Sequence, residues 1–412
     1  MSTTNSLKTR ISAKKTAPTA QPIYLDNHAT SPLDPRVLEA MLPYLSENFG
    51  NPASTHIYGL RASYAVSQAR IQVASALNAR PEEIIFTSGA TESNNFALKG
   101  VFDYYHDKKP HFIVSDIEHK CILEAAKHIK KQGAEVTFLP VNAEGLVELE
   151  QLKKAIKPNT VLVSVMFANN EIGTINPIRE LSALCHDKGI LFHTDAAQAI
   201  GKVPIDVKDL GIDLLSASGH KFYGPKGVGF SYVSKEAKKF LTPLLDGGGQ
   251  ESNLRSGTLN VASIVGIGRA IELVSQELDS DFWHYITLRN SLYEKLNQAI
   301  PGLILNGPSI ASEASLRKIG DVYKIASSLK RLPNNLNLTL PEGTSLKSHK
   351  LTNIAFSSGS ACSSADPEPS YVLMTIGRSS EEAQASLRFG IGRFNTESEI
   401  ESAVSVFENA LV

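Results

Sequence analysis

From Glu82 onward the chain repeats one pattern: a short, mostly apolar run, a polar loop, then a stretch with helical spacing. EIIFT leads into SGATESNNFALKGVF, and HFIVSDIEHK leads into a helix expected from about Cys121 to Gln132. AEVTFLPV precedes a helix read over LVELEQLKKAI, VLVSVMFANNEIGT precedes IRELSALCHDKG, and ILFHTDAAQAIG follows. Apolar runs of this length are strands buried on both faces, and the intervening helices are what cover them. The pattern predicts an α/β domain with a largely parallel sheet. Ligand sites in such sheets lie beyond the carboxyl ends of the strands, where GATES, EHK, ANNEIG, DAAQ and SGHK converge.

The rest of the chain is arranged around that repeat. SPLDPRVLEAMLPYL and NPASTHIYGLRASYAVSQARIQVASALNA read as helices before it, and QPIYLDNHAT as a short strand, Ile23 to Leu25, entering a polar turn. Residues 260 to 300 read as a long helix, ASIVGIGRAIELVSQEL, continuing in a helical hairpin-like run to LNQAI. From about Ile304 shorter strands alternate with polar turns, and a helix from Glu382 to Leu387 leads into RFGIGRF. At 412 residues the chain exceeds what one core usually supports. We expect a large domain over 21–265 and a smaller α+β domain over 266–412, with the segment 21–40 able to pack against the smaller one. Residues 1–20 carry Lys8, Arg10, Lys14 and Lys15 and no acid, which suits a disordered basic tail or an organelle-targeting peptide.

Charge narrows the function. With 41 basic against 42 acidic side chains, nucleic acid is not the expected main partner. No apolar run reaches the roughly 18 residues of a membrane span. Three cysteines, at 121, 185 and 362, form neither a disulfide framework nor a paired metal motif, and they suit a reducing compartment.

Four stretches carry chemistry. SGHKFYGPKG places Lys221 in a Gly-bearing loop just past the strand LLSAS. It is either an ordinary loop lysine or an amine placed for Schiff-base chemistry with a carbonyl. SGATES sets Gly89 at a strand-to-helix turn, where free N–H groups and the Thr91 hydroxyl can hold a phosphate; it also reads as a plain helix start. HTDAAQ ends an apolar run on Asp195, which is a helix cap or the partner of a ring nitrogen. SSGSACSS surrounds Cys362 with small polar residues, the setting of a travelling nucleophile rather than of core filler. Cys121 and Cys185, by contrast, read as core.

Taken in order, YLDNHAT, NPAS-H, FTSGATESNN, EHK, NNEIG, HTDAAQ, SGHKFYGPKG, RSGT, SSGSAC and LRFGIGRF make a chain that resembles the cysteine desulfurases of the NifS/IscS type. These belong to the class V aminotransferase-like enzymes of pyridoxal 5'-phosphate (PLP), and the resemblance runs from about Tyr24 to about Asn395. It implies the type I PLP fold: a large domain on a mostly parallel, mixed seven-stranded sheet, plus a smaller α+β domain. Lys221 matches the lysine that carries PLP. His119 matches a histidine stacked on the ring, Asp195 the partner of the pyridine nitrogen, and Gln198 a residue near the ring oxygen. Ala90, Thr91, Ser218 and His220 match phosphate-side contacts, and Thr258 a phosphate contact made from the other subunit of a homodimer. Asn170 and Arg388 match the substrate side, with Arg388 clamping the carboxylate of L-cysteine.

Cys362 matches the thiol that takes the sulfur, leaving L-alanine. Lys221 is then the expected proton shuttle, with His119 assisting. The loop SSGSACSSA resembles that of the group feeding iron–sulfur scaffolds, so the expected partner is such a scaffold or another sulfur acceptor; Cys362 could there ligate a cluster transiently, and no resident metal is expected. The implied location is cytoplasmic, or organellar if the basic tail is a targeting peptide. Two features depart from the family. PEGTSLKSHKLTNIAF is polar where relatives usually carry an apolar helix, and Ser252 and Asn253 stand where relatives often carry Arg, Phe or Gly. The alternatives are a related PLP lyase acting on selenocysteine, for which Cys362 is dispensable, and a non-catalytic paralogue that binds a partner.

Overall fold

The computed structural model describes residues 21–358 and 368–411. Cys362 and the basic tail lie outside the described residues. Thirteen strands are described: β1 (Ile23–Tyr24), β2 (Ile84–Thr87), β3 (His111–Ser115), β4 (Glu135–Leu139), β5 (Thr160–Ser164), β6 (Leu191–Asp195), β7 (Leu214–Ser218), β8 (Gly229–Val233), β9 (Ile304–Leu305), β10 (Asn335–Thr339), β11 (Ile354–Ala355), β12 (Ser357–Ser358) and β13 (Ser386–Gly390). Seven form the large sheet in the order β2-β8-β7-β6-β5-β3-β4. β3 to β7 run parallel, and β8 alone pairs antiparallel to both its neighbours. This is the mixed, mostly parallel seven-stranded sheet the chain was expected to form.

The side-chain alternation of each strand sorts the core into two layers. Ile84 and Phe86 of β2 and Ile113 of β3 face one layer, with Val66, Ala69 and Val73 of the helix Ile57–Ala76 and with Ile267 and Ile271 of the helix Val261–Gln276. Ile85, Phe112 and Val114 face the other, against the helices Ala90–Tyr105 and Lys120–Lys131. Two fully buried histidines tie strands within the sheet. His193 bridges Ser164 Oγ at 2.8 Å and Ser216 Oγ at 3.0 Å, and His111 bridges Thr160 Oγ1 and Thr137 Oγ1, both at 2.8 Å.

A second sheet, β12-β13-β10-β9, is antiparallel throughout. The helices Leu278–Ala299 and Glu397–Ala410 contribute Leu292, Leu296, Ile400 and Phe407 to its core. This is the smaller α+β unit. Leu25 lies in the same cluster and β1 pairs with β11, so the start of the described chain packs with the small unit.

Two local expectations are corrected. The helix read from Glu382 to Leu387 runs instead from Ser380 to Gln384, and Leu387 belongs to β13. Its partner across the pair is Leu338, and Phe389 faces Leu336, so the period-two burial of SLRFG wins over local helix preference. The helical run of 260–300, read as a helix and a hairpin-like continuation, is two helices, Val261–Gln276 and Leu278–Ala299, that meet at Glu277. The helix after β4 begins at Leu149, three residues later than read. Upstream, the Asn142 side chain accepts from the Leu146 N–H and that of Asn176 accepts from the Val147 N–H, which holds this segment as a turn. A division of the chain at residue 265 would cut the helix Val261–Gln276, whose buried face belongs to the large core. We therefore propose the boundary near Glu277.

Candidate active site

The loops leaving β2, β3, β5, β6 and β7 carry Ala90, His119, Asn170, Asp195, Gln198 and Lys221, and β13 of the small unit adds Arg388. The site therefore lies where the two units meet.

Lys221 ends a short 3-10 turn, Gly219–Lys221, directly after β7. Its Nζ donates to the main-chain oxygens of His28 at 2.6 Å and Ala29 at 2.8 Å. The turn 26–31 wraps the lysine loop: Ser31 Oγ donates to the His220 oxygen at 2.9 Å and accepts from the Tyr223 N–H at 2.7 Å. Burial, and then the charge of Arg388, push the Lys221 amine down to about 8, against the pull of Asp195 and Asp26. An amine so placed is free of its proton for a useful fraction of time near neutral pH.

Asp195 closes β6 with both oxygens engaged. Oδ1 accepts from the Ala197 N–H at 2.9 Å and Oδ2 from Asn94 Nδ2 at 2.7 Å. Gln198 donates from Nε2 to the His28 oxygen at 3.0 Å, and its Oε1 is 2.9 Å from His28 Nδ1. His119 is exposed and caps the helix Lys120–Lys131, its Nδ1 accepting from the Cys121 N–H at 3.3 Å.

The phosphate-side candidates surround the start of the helix Ala90–Tyr105. Gly89 precedes it with φ 152° and no side-chain cap, so the first N–H groups stay available. A Cβ at Gly89 would stand 3.4 Å from Ser218 Oγ, in a conformation L side chains rarely adopt. His220 Nδ1 lies 3.1 Å from Thr30 Oγ1, and burial lowers its pKa to about 4. Thr258 does not join this group: it is exposed on the loop that follows Arg255, whose guanidinium pairs with Glu92 at 2.9 Å.

On the small-unit side, Arg388 Nη2 donates to Asp26 Oδ1 at 2.9 Å and to Ser357 Oγ at 2.6 Å, and Nη1 to the Asn170 oxygen at 3.4 Å. Its Nε is buried without a partner. Asn94 Oδ1 is likewise buried and unpartnered. Two unpartnered buried groups at this site leave room for a ligand that would complete them. A half-buried amine, an open helix start, a held carboxylate and an arginine with a spare donor fit a phosphorylated aldehyde cofactor and a carboxylate substrate. Among the described residues no group of three or more metal-binding side chains occurs. A cleft of about 940 Å³ lined by Leu77, Val147, Val203 and Val274 contains none of these residues.

Sequence reasoning missed three participants. Asp26 and His28 were read as part of a polar turn, yet both face the lysine or the arginine. Cys121 was read as core, but its Sγ lies 3.0 Å from His119 Nδ1 and accepts from Asn94 Nδ2 at 3.2 Å. Burial and the charge of Asp195 raise its pKa to about 12, so it stays a thiol. Its position two residues after His119, at a helix start, is the signal that was available. Cys185 is fully buried, as read.

The chain is similar to known proteins along most of its length. Residues 23–402 match the family described as Aminotransferase class-V. The chain is 48 % identical over 388 residues to the cysteine desulfurase IscS of Rickettsia bellii, covering 93 % of this chain and 90 % of that one. It is 49 % identical over 384 residues to the mitosomal cysteine desulfurase of Encephalitozoon cuniculi, covering 92 % and 84 %. A solved NifS-like protein superimposes with a TM-score of 0.83 at 36 % identity, covering 94 % of this chain and 99 % of that one. The chain belongs to the class-V aminotransferase fold family and, within it, to the NifS/IscS family of cysteine desulfurases.

Proposed function

We propose that the protein is a PLP-dependent cysteine desulfurase that converts L-cysteine to L-alanine and takes the sulfur onto Cys362 as a persulfide. The observation that carries this reading is Lys221, a partly buried amine lowered to about 8 that feels the charges of Asp195 and Arg388 and is held by the turn carrying His28 and Ala29. PLP, when bound, supplies the electron sink that makes the substrate Cα proton labile. Lys221 Nζ would hold the cofactor, and as a free amine it would carry a proton to and from the substrate carbon. Ala90, Thr91, Ser218 and His220 would hold the phosphate end, Asp195 would keep a proton on the ring nitrogen, and Gln198 would take the ring oxygen. His119 would cover the ring, with its Nδ1 committed to Cys121. Asn170 and Arg388 orient the substrate, Arg388 through its carboxylate. The cysteine Cβ–S bond breaks as a bond from that sulfur to Cys362 Sγ forms, and the carbon skeleton leaves as alanine after taking up a proton.

A homodimer is part of this reading. Ile57, Tyr58, Leu60 and Tyr64 expose apolar surface along one helix, Tyr64 by 67 %, and such a patch suits burial against a second copy. Thr258, apart from its own chain's site, would then serve the partner's. The onward acceptor is proposed to be an iron–sulfur scaffold or a comparable sulfur-accepting protein, in the cytoplasm or an organelle. Among the described residues no helix is long and apolar enough to cross a membrane.

The test is sulfur transfer from labelled L-cysteine to the protein. Wild type should form a labelled persulfide and Cys362→Ala should not. Undiminished sulfur release by Cys362→Ala, with selenocysteine preferred, would instead favour a selenocysteine lyase.

A further inference from the structure

Gln198 is held by hydrogen bonds whose direction can be worked out from a single fixed point. Arg331 is 2 % exposed and only donates; its Nη1 lies 2.9 Å from Asn335 Oδ1. That contact fixes the Asn335 amide, since the reversed amide would set two donors against each other. Asn335 Nδ2 then has two protons to place, one on the Glu171 oxygen at 3.0 Å and one on His28 Nε2 at 3.1 Å. His28 Nε2 is therefore an acceptor, so in the neutral ring the proton sits on Nδ1. Nδ1 donates to Gln198 Oε1 at 2.9 Å, and Gln198 Nε2 returns one proton to the His28 oxygen at 3.0 Å. The second N–H of Gln198 has no partner among the described residues.

We propose that His28 is a positioning residue: its ring Nδ1, oriented through Asn335, and its main-chain oxygen together make Gln198 present an N–H, not a carbonyl oxygen, to the cofactor site. The inference rests on the reading above, in which Gln198 takes the ring oxygen of PLP. It adds which end of the amide does so and which residues decide it. His28 is 1 % exposed and its ring stays neutral, because burial and the charges of Arg388, Lys221 and Lys202 oppose a second proton. The relay runs from β10 of the small unit to the loop after β6 of the large one. The set of the small unit thereby reaches the electronics of the cofactor.

A donor to the ring oxygen favours the form in which that oxygen carries negative charge and so lowers the protonation midpoint of the bound chromophore. The experiment follows the long-wavelength absorbance of holoenzyme against pH for wild type, Gln198→Ala, His28→Ala and His28→Asn. Gln198→Ala should raise the midpoint by about 1 pH unit, a tenfold change in proton affinity, and His28→Ala, which keeps the main-chain acceptor but removes the Nδ1 donor, should raise it in the same direction by a smaller amount. His28→Asn, whose amide nitrogen can stand where Nδ1 stands, should restore the wild-type midpoint. If Gln198→Ala moves the midpoint and His28→Ala does not, the positioning role is overturned. If all three variants shift alike, it is also overturned, because a packing defect would do the same. If Gln198→Ala leaves the midpoint in place, the parent reading of Gln198 fails and this inference with it. Should His28→Ala lose the cofactor, His28→Leu, which fills the space without a donor, takes its place with the same expected shift.

Discussion

Arg388 Nη2 lies 2.9 Å from Asp26 Oδ1, so the arginine assigned to the substrate carboxylate already holds a carboxylate of its own chain. Asp26 reaches it from the turn after β1, and Ser357 Oγ donates to the same oxygen at 2.9 Å. An incoming carboxylate must share Arg388 with Asp26 or displace it. A partly buried pair of this kind is worth about 1 kcal/mol. Asp26→Asn should therefore lower the KM for L-cysteine about fivefold, measured by alanine release at fixed cofactor occupancy. A rise in KM would show that Asp26 instead braces Arg388 for binding.

Arg393 lies behind the site in a buried ionic cluster. It pairs with Asp281 at 2.5 Å, Glu277 at 2.9 Å and Asp34 at 3.1 Å, and stands 4.7 Å from the centre of the Tyr223 ring. Hydrogen bonds from Arg36 hold the Asp34 carboxyl down at about 2, and Arg36 also pairs with Glu277. The cluster links the helix Pro35–Ser46 and the break at Glu277 to the small unit. Truncating Arg393 leaves Asp281 buried without its guanidinium, while Asp34 keeps Arg36, and this costs about 3 kcal/mol. Urea unfolding of Arg393→Ala should show a loss of that size, while Lys295→Ala, at an exposed pair with Glu401, should lose less than about 0.5 kcal/mol.

His193 gives the fold a pH dependence with a definite sign. Burial pushes its imidazole from 6.5 down to about 3. Between those values the unfolded chain takes up a proton that the folded chain refuses, so stability falls as pH drops below about 6.5 and this contribution is spent near 3. At pH 5 the penalty from this one group is about 2 kcal/mol. In His193→Gln, the difference in unfolding free energy between pH 7 and pH 5 should shrink by roughly that amount. An unchanged difference would show that His193 does not stay neutral in the fold.

Much of the fold was legible because the signals are local. Ile84, Ile85 and Phe86 form one apolar run, and a strand buried on both faces needs nothing more. The loops after such strands are where Asp195, His119 and Lys221 were sought, and the structure places them on one side of the sheet. Leu387 was misread because SLRFG takes its conformation from β10, about 50 residues away in sequence, and nothing nearby announces that pairing. Asp26, His28 and Asn335 were missed for the same reason. Their roles come from contacts more than 150 residues apart, between side chains that in isolation suit any turn or strand. Cys121 is the instructive intermediate case, apolar enough to pack yet turned toward His119 and Asn94.

Alanine formation from L-cysteine, followed in the PLP-loaded wild type and in Lys221→Ala purified and supplied with PLP in the same way, tests the central claim most directly. The account predicts steady alanine release by wild type, and no covalently held chromophore and no alanine above background for the variant. Full alanine formation by Lys221→Ala would contradict it.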